Sequence, residues 1–302
     1  MPRDTTLRQP ADPARGAEDT DRLEAGLDAL QASYVPEAGG LRGAVRASVP
    51  PLIAVGLVLT VWQGLVWAEV KPVYLLPGPL DVWRAFVDAW SRGDAQKAFS
   101  TSLERGVLGF VVAVAVGTPL GVVVARVRPV RTAIGPLVTG LQVLPSVAWV
   151  PAGIIWFGLS DATVYFVILM GAVPSIVNGL VAGVDQVPPL YRRVGRVLGA
   201  GRLAMVRHVI LPAALPGYLA GLKQGWAFSW RSLMAAEIIA VGGQIGFGLG
   251  ALLQQGRELS DMSVVVLAIL LILVVGIAVE LLVFAPVERR VLRGRGLHAE
   301  TA

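Results

Sequence analysis

Six apolar runs, separated by short polar segments, dominate the chain after residue 40. They cover residues 47–68, 106–125, 132–160, 162–184, 209–239 and 262–286. A helix needs about 20 predominantly apolar residues to cross a bilayer, and each run is long enough to supply them. The pattern therefore predicts an all-α fold, a polytopic membrane bundle of about six transmembrane helices.

The third run is longer than one span requires, and it contains Pro136, Pro145 and Pro151. Proline kinks helices, so we expect a kinked or partly interfacial helix here.

Residues 80–90 place apolar side chains at helical spacing opposite charged ones, which predicts an amphipathic helix on the membrane surface. The glycine-rich residues 242–256 predict a loop or a short re-entrant helix.

The composition agrees with a membrane protein, since 55% of residues are hydrophobic and 16% are charged, against about 25% charged in soluble domains. With the N-terminus in the cytoplasm, fourteen arginines lie beside cytoplasmic span ends, and six basic residues lie outside. Cytoplasmic loops carry an excess of Lys and Arg, so both termini are predicted to be cytoplasmic. Because the arginines flank apolar runs, the net charge of +5 indicates a lipid bilayer and no nucleic acid as partner.

The two ends of the chain differ from its middle. Residues 1–40 hold eight acidic side chains and four arginines with little periodic apolar content, which predicts a disordered cytoplasmic tail. We assign residues 41–296 to a transmembrane domain and residues 297–302 to a C-terminal tail.

Few residues of the chain are suited to catalysis. There is no cysteine, and the histidines are His208 and His298, which excludes thiol chemistry and disfavours metal sites. None of the three lysines stands in a phosphate-loop sequence, G-x-x-x-x-G-K-[ST]. The sequence therefore indicates no catalytic residue, no metal and no cofactor.

The polar residues 185–212 are basic and helical in pattern. Asp185 is expected to cap a helix that begins at Pro188 or Pro189 and that ends at Gly199 and Gly201. A second segment is expected to run to a stop at Leu211–Pro212. The arginines either follow the positive-inside bias alone or, beside an apolar face, form a docking surface for a soluble partner.

This loop resembles the cytoplasmic loop of ABC importer permeases. The family pattern is Glu-Ala-Ala, three residues, Gly, nine residues, Ile, one residue, Leu-Pro. With Leu211–Pro212 on its end, Gly199 falls on the glycine and Val209 on the isoleucine. Arg-Val-Gly at 193–195 replaces Glu-Ala-Ala, so the resemblance does not carry over a salt bridge made by that glutamate.

Further motifs resemble the nitrate/sulfonate/taurine group of these permeases, in order over residues 45–295. They are LLPGPLDVW at 75–83, GTPLG at 117–121, PSVAWVP at 145–151, WFG at 156–158, RVLGAG at 196–201, HVILPAALP at 208–216, WRSLMAAEII at 230–239 and VERR at 287–290.

The resemblance implies a type I ABC importer permease fold in a bacterial inner membrane, and a pathway for a small anion such as a sulfonate, taurine or nitrate. It implies a homodimer of permeases, two cytoplasmic ATPase subunits that bind ATP and Mg²⁺, and an extracytoplasmic binding protein that delivers the solute. The implied ATPase-coupling residues are Leu190, Arg192, Arg193, Val194, Gly195, Arg196, Val197, Leu198, Gly199, Ala200, Gly201, Met205, Leu211 and Pro212.

Two basic residues, Lys223 and Arg231, lie inside the fifth apolar run, where a charge is costly. Together with Gln224 and Asn178, they are candidates to line the path of an anion. Alternatively, Lys223 pairs with a carboxylate elsewhere in the bundle, and Arg231 either meets Glu237 or extends to the membrane surface.

Two other classes of protein compete with this interpretation. A secondary transporter or channel would work without an ATPase, but such proteins usually contain internal repeats, and the two halves of this chain show none. A membrane enzyme would need a nucleophile and a base, and neither Ser146 nor Ser175 has a plausible base.

Overall fold

The computed structural model describes residues 41–293, and that part of the chain is helical with no strand. The predicted tails at 1–40 and 297–302 lie outside the described residues. The chain divides between Val61 and Trp62 into two compact units. In the first unit, the described residues 41–61 belong to the helix α1, whose full extent is Leu41–Trp67.

In the second unit the helices follow one another with short connections. They are α2 (Pro79–Ser91), α3 (Asp94–Arg126), α4 (Arg128–Val143), α5 (Val150–Phe157), α6 (Asp161–Asp185), α7 (Pro189–Val197), α8 (Arg202–Met205), α9 (Leu211–Ile239), α10 (Leu249–Glu258), α11 (Met262–Val279) and α12 (Ala285–Arg293). A short 3₁₀ helix, Ser146–Trp149, precedes α5, and π-helical turns at Val206–Ile210 and Glu280–Phe284 join α8 to α9 and α11 to α12.

The prediction of about six spans is confirmed by length and composition. Five helical stretches qualify as spans, namely Val49–Trp67, Asp94–Arg126, Asp161–Asp185, Leu203–Ile239 and Met262–Arg293. The third apolar run forms the sixth as a broken pair, Arg128–Val143 and Ser146–Phe157, bent by 100°. The expected kink therefore lies at Leu144–Pro145, where the backbone of both residues is extended.

The centre of the second unit is α6, which packs most extensively against α9 and next against α3. The core holds aliphatic side chains of α6 together with Trp226 and Trp230, whose rings stack with centroids 6.0 Å apart. In a bilayer such tight contacts supply much of the packing energy, because lipid is as apolar as the side chains.

The two predicted surface segments differ in structure. The amphipathic segment is α2, which buries Val82 and Ala89 in a cluster with Leu267 of α11. The glycine-rich segment is a loop that leads into α10.

The predicted helix stop at Leu211–Pro212 is wrong. The helical run Leu203–Ile239 continues through both residues. Proline lacks the N–H that would donate to the carbonyl four residues earlier, and the π-helical turn Val206–Ile210 changes the hydrogen-bond register just ahead of it.

Candidate functional site

The segment at 185–212 begins with an ion pair and not with a helix cap. Asp185 is the last residue of α6, and its carboxylate accepts two hydrogen bonds from Arg131, at 2.8 and 2.5 Å. The predicted cap is therefore wrong, because Pro188 precedes α7 and has no side-chain cap bond. The pair holds the end of α6 against the first turn of α4.

Gly199 ends α7 as the sequence predicts. Its φ of +77° lies in the left-handed region, which costs a residue with a Cβ about 1–2 kcal/mol. Gly199 N–H donates to the Arg196 carbonyl at 3.0 Å, and Ala200 N–H donates to the Gly195 carbonyl at 2.9 Å. These two bonds form a Schellman motif, and the left-handed residue of that motif is usually glycine.

One side of α7 contacts the helix that follows. Gly195 is buried, and an added Cβ there would lie 2.8 Å from Met205 Cε. A groove of about 700 Å³ opens between α7 and the start of α9, lined by apolar residues such as Leu190, Val194 and Pro212.

Apolar side chains at the end of α7 and the start of α8 are exposed in the described chain. Val197 is 87% exposed, Leu198 79% and Leu203 80%. Also exposed among the predicted coupling residues are Leu190, Arg192, Arg193, Val194, Arg196, Gly199, Gly201, Leu211 and Pro212, while Ala200 and Met205 are half-buried. Large apolar side chains that are exposed next to arginines form a surface that a partner protein could cover.

The four residues predicted to line an anion path fall in two places. Lys223 forms an ion pair with Glu280 and lies 3.8 Å from Glu288. With Gln224 it lines a cavity of about 620 Å³ between α9 and α12, beside Trp226.

Asn178 and Arg231 lie at the other place, near the end of α4. Asn178 donates to Gln142 Oε1 at 2.6 Å, and Gln142 Nε2 donates to Ser175 Oγ at 3.3 Å. Arg231 and Gln142 line a cavity of about 280 Å³ at the break in the third run, together with Ser146. The side chains of Lys223 and Arg231 therefore line different cavities.

A buried polar cluster, which the sequence did not predict, ties the opposite end of α6 to its neighbours. Arg105 donates to Glu237 at 3.2 Å, to the Gly246 carbonyl at 3.0 Å and to Asp161 at 2.5 Å. Ser102 donates to Glu237 at 2.7 Å. The side chains of Arg105 and Glu237 are 5% and 0% exposed, so this is a fully desolvated pair.

The cluster also fixes α10. Glu237 accepts a hydrogen bond from Gly250 N–H at 3.0 Å, and Ser102 accepts one from Leu249 N–H at 2.8 Å. The first turn of α10 is thus held by side chains of α3 and α9. In the sequence, Arg105 and Glu237 each lie near the end of an apolar run, which marks them as unusual charges. The sequence does not show that they pair with each other, because 132 positions separate them.

Several known proteins are similar to this chain. The profile of a family described as "binding-protein-dependent transport system inner membrane component" matches residues 117–293. The nitrate import permease protein NrtB of Leptolyngbya laminosa is 31% identical over 247 residues, which cover 79% of this chain and 86% of NrtB. The taurine transport system permease protein TauC of Escherichia coli is 30% identical over 236 residues, covering 74% of this chain and 82% of TauC.

The fold is also similar to a solved structure. An inward-facing structure of the MetNI methionine ABC transporter matches with a TM-score of 0.53 and 19% identity, over 64% of this chain and 94% of that chain. At that identity the likeness concerns the fold alone.

Proposed function

Because this chain belongs to the family of binding-protein-dependent transport system inner membrane components, we propose that it lines the route by which an ABC importer carries a small anion across the membrane. The chain is a multi-pass inner membrane protein and the permease component of such an importer. The identity of the solute, the partner subunits and the coupling residues belong to the proposal.

The proposed assembly has two copies of this chain, two ATPase subunits and an extracytoplasmic binding protein. The family description, which names dependence on a binding protein, supports the last of these. The sequence has no phosphate loop, so ATP and Mg²⁺ would bind to the partner ATPases.

The observation that carries the proposal is the exposure of apolar side chains at the end of α7. Val197 and Leu198 project from a short helix that is anchored to the bundle through Gly195. An amphipathic helix presented in this way suits a groove on a soluble protein. ATP-driven movement of the ATPases would then be transmitted through α7 to α6 and α9.

The proposed solute is a small anion such as nitrate, taurine or another sulfonate. This class follows from the names of NrtB and TauC. A secondary transporter or channel is the rival function, and it would need no ATPase partner.

Copurification tests the proposal. The full chain, expressed with candidate ABC ATPase and binding-protein subunits of its own organism, should retain an ATPase through detergent purification. ATP hydrolysis in liposomes should rise when the loaded binding protein is added with nitrate or taurine. Failure of every candidate ATPase to copurify would favour the rival function.

A pair of glycine substitutions tests the role of the loop. Gly199→Leu forces a Cβ into the left-handed region, whereas Gly201→Leu meets open space without a positive φ. The strain of about 1–2 kcal/mol should reduce solute-stimulated ATP hydrolysis several-fold for Gly199→Leu and leave Gly201→Leu near the unmodified rate. Equal rates for the two variants would remove the loop geometry from coupling.

A further inference from the structure

The break in the third apolar run lies near the middle of the membrane-spanning part of the bundle. Gly171 of α6 lines the cavity at this break. At 1.5 Å per residue, Gly171 is about 15 Å from Asp161 and about 21 Å from Asp185, the two ends of α6. The extended residues Leu144 and Pro145 are therefore far from both membrane surfaces.

Backbone outside a helix is tolerated at such depth only where protein covers it or where it borders a water-filled cavity. Here the break opens into the cavity of about 280 Å³ that Gln142, Ser146 and Arg231 line. The amide of Gln142 is itself held by Asn178 and Ser175. The break thus presents polar side chains, in fixed positions, to a space inside the span.

Arg231 is the only side chain lining this cavity that carries a charge. Its side chain is exposed, and no carboxylate lies within ion-pair distance of it among residues 41–293. Its Nε donates to the Ala227 carbonyl at 3.1 Å, and its Cζ lies 4.6 Å from the ring centroid of Phe228. These contacts use one of five N–H groups and fix the guanidinium over one face of the ring.

Lys223 provides the contrast within the same helix. Glu280 pairs with its ammonium, and Glu288 lies nearby, so the lysine charge is offset by carboxylates of the following span. An uncompensated arginine on a spanning helix is very costly against lipid. Arg231 therefore needs water or an anion, whereas Lys223 already has its counter-ions.

We propose that Arg231, with the Gln142 amide and the Ser146 hydroxyl beside it, forms an anion-contact site in an aqueous path at the break, and that Lys223 is outside this site. The guanidinium would bind an oxyanion through its remaining N–H groups. The identification of this anion with the transported solute rests on the proposed function.

The absence of cysteine from the chain allows a direct test with the permease alone. Ser146→Cys is made in the full chain, which is reconstituted in neutral phosphatidylcholine vesicles opened to reagent on both sides. The cysteine is modified by two methanethiosulfonate reagents, an anionic one that carries an ethylsulfonate group and a cationic one that carries an ethyltrimethylammonium group. The two modification rates are compared. Leu273→Cys, on the exposed apolar side of α11, is the lipid-facing control.

We expect Ser146→Cys to react and to favour the anionic reagent, and Leu273→Cys to react with neither. Adding Arg231→Gln should lower the anionic-to-cationic rate ratio by on the order of tenfold, a typical size for local electrostatic steering. Arg231→Lys should retain most of the ratio, and Lys223→Gln should leave it unchanged.

A second measurement needs no charge variant. Raising the salt from about 0.01 M to about 1 M shortens the screening length from about 30 Å to about 3 Å, so the preference for the anionic reagent should collapse in the chain that keeps Arg231. An unreactive Ser146→Cys, a ratio indifferent to salt, or equal effects of Arg231→Gln and Lys223→Gln would each overturn the inference. None of these results would affect copurification with an ATPase, so the two proposals fail separately.

Discussion

Among single residues, Arg105 and Glu237 are charged side chains that the fold buries. Both side chains are buried, and their charges are satisfied by Asp161, Ser102 and backbone groups. A buried pair is not in itself strongly stabilising, but removal of one member leaves an uncompensated charge in a dry site. The effect of substitution should therefore depend on whether one partner or both are replaced.

Arg105→Met is expected to destabilise the protein by about 3–5 kcal/mol, because the carboxylate of Glu237 stays buried without its counter-ion. The double variant Arg105→Met with Glu237→Met should recover much of that loss. Arg92→Met is the control, since the Arg92–Asp94 pair has 59% and 49% exposed side chains and should contribute at most about 1 kcal/mol. Thermal unfolding in detergent, followed by circular dichroism, compares the three variants; a double variant no more stable than Arg105→Met would contradict the coupling.

Between whole helices, α6 and α9 bring their backbones close together at pairs of facing glycines. A Cβ built on Gly221 would lie 2.5 Å from the Cα of Gly179, and one built on Gly217 would lie 2.5 Å from the Cα of Gly183. Those neighbours are backbone atoms, so the helices themselves would have to separate. The same two helices emerge at either end of the loop that holds α7.

Gly221→Ala should therefore destabilise the protein, although alanine is the better helix former by about 1 kcal/mol. Overpacking of this kind costs about 1–3 kcal/mol. Gly140→Ala is the matched control, because a Cβ on Gly140 of α4 meets open space and should be neutral or stabilising. The midpoints of thermal unfolding compare the two; a gain in stability for Gly221→Ala would mean that the helices are not in contact here.

The sequence predicted the helices better than their contacts. Charged residues at the ends of apolar runs, such as Asp161 and Asp185, mark the bounds of α6 because a spanning helix excludes them. The turn at Gly199 was also predictable, since glycine has a specific role after a helix end. In contrast, the local rule that proline stops a helix fails at Pro212, because the rule takes no account of the π-helical turn that precedes it.

The surroundings of Lys223 and Arg231 depend on the tertiary fold, which the sequence does not show. Lys223 and Arg231 are eight positions apart on one helix, and sequence spacing separated their faces by about 80° at 100° per residue. Which of them is neutralised depends on Glu280, from another span. The pairing of Arg105 with Glu237 likewise depends on the tertiary fold.

For the whole molecule, the placement of the arginines predicts an orientation in the membrane. The two ends of α6 are held by different groups: Arg131 and Asp185 at one end, Arg105 and Asp161 at the other. The end that carries α7 is the one beside most of the arginines. Since cytoplasmic loops collect Lys and Arg, we expect α7 on the cytoplasmic side and α10 on the outer side.

Two single-cysteine variants decide between the orientations. Tyr191→Cys is at an exposed position of α7 and Gln255→Cys at an exposed position of α10, and the unmodified chain supplies a background free of cysteine. In intact spheroplasts, a membrane-impermeant maleimide should label Gln255→Cys and spare Tyr191→Cys, which should become reactive once the membrane is opened. The reverse labelling would place α7 outside the cell, where no ATPase could reach it, and would remove the proposed coupling together with the predicted orientation.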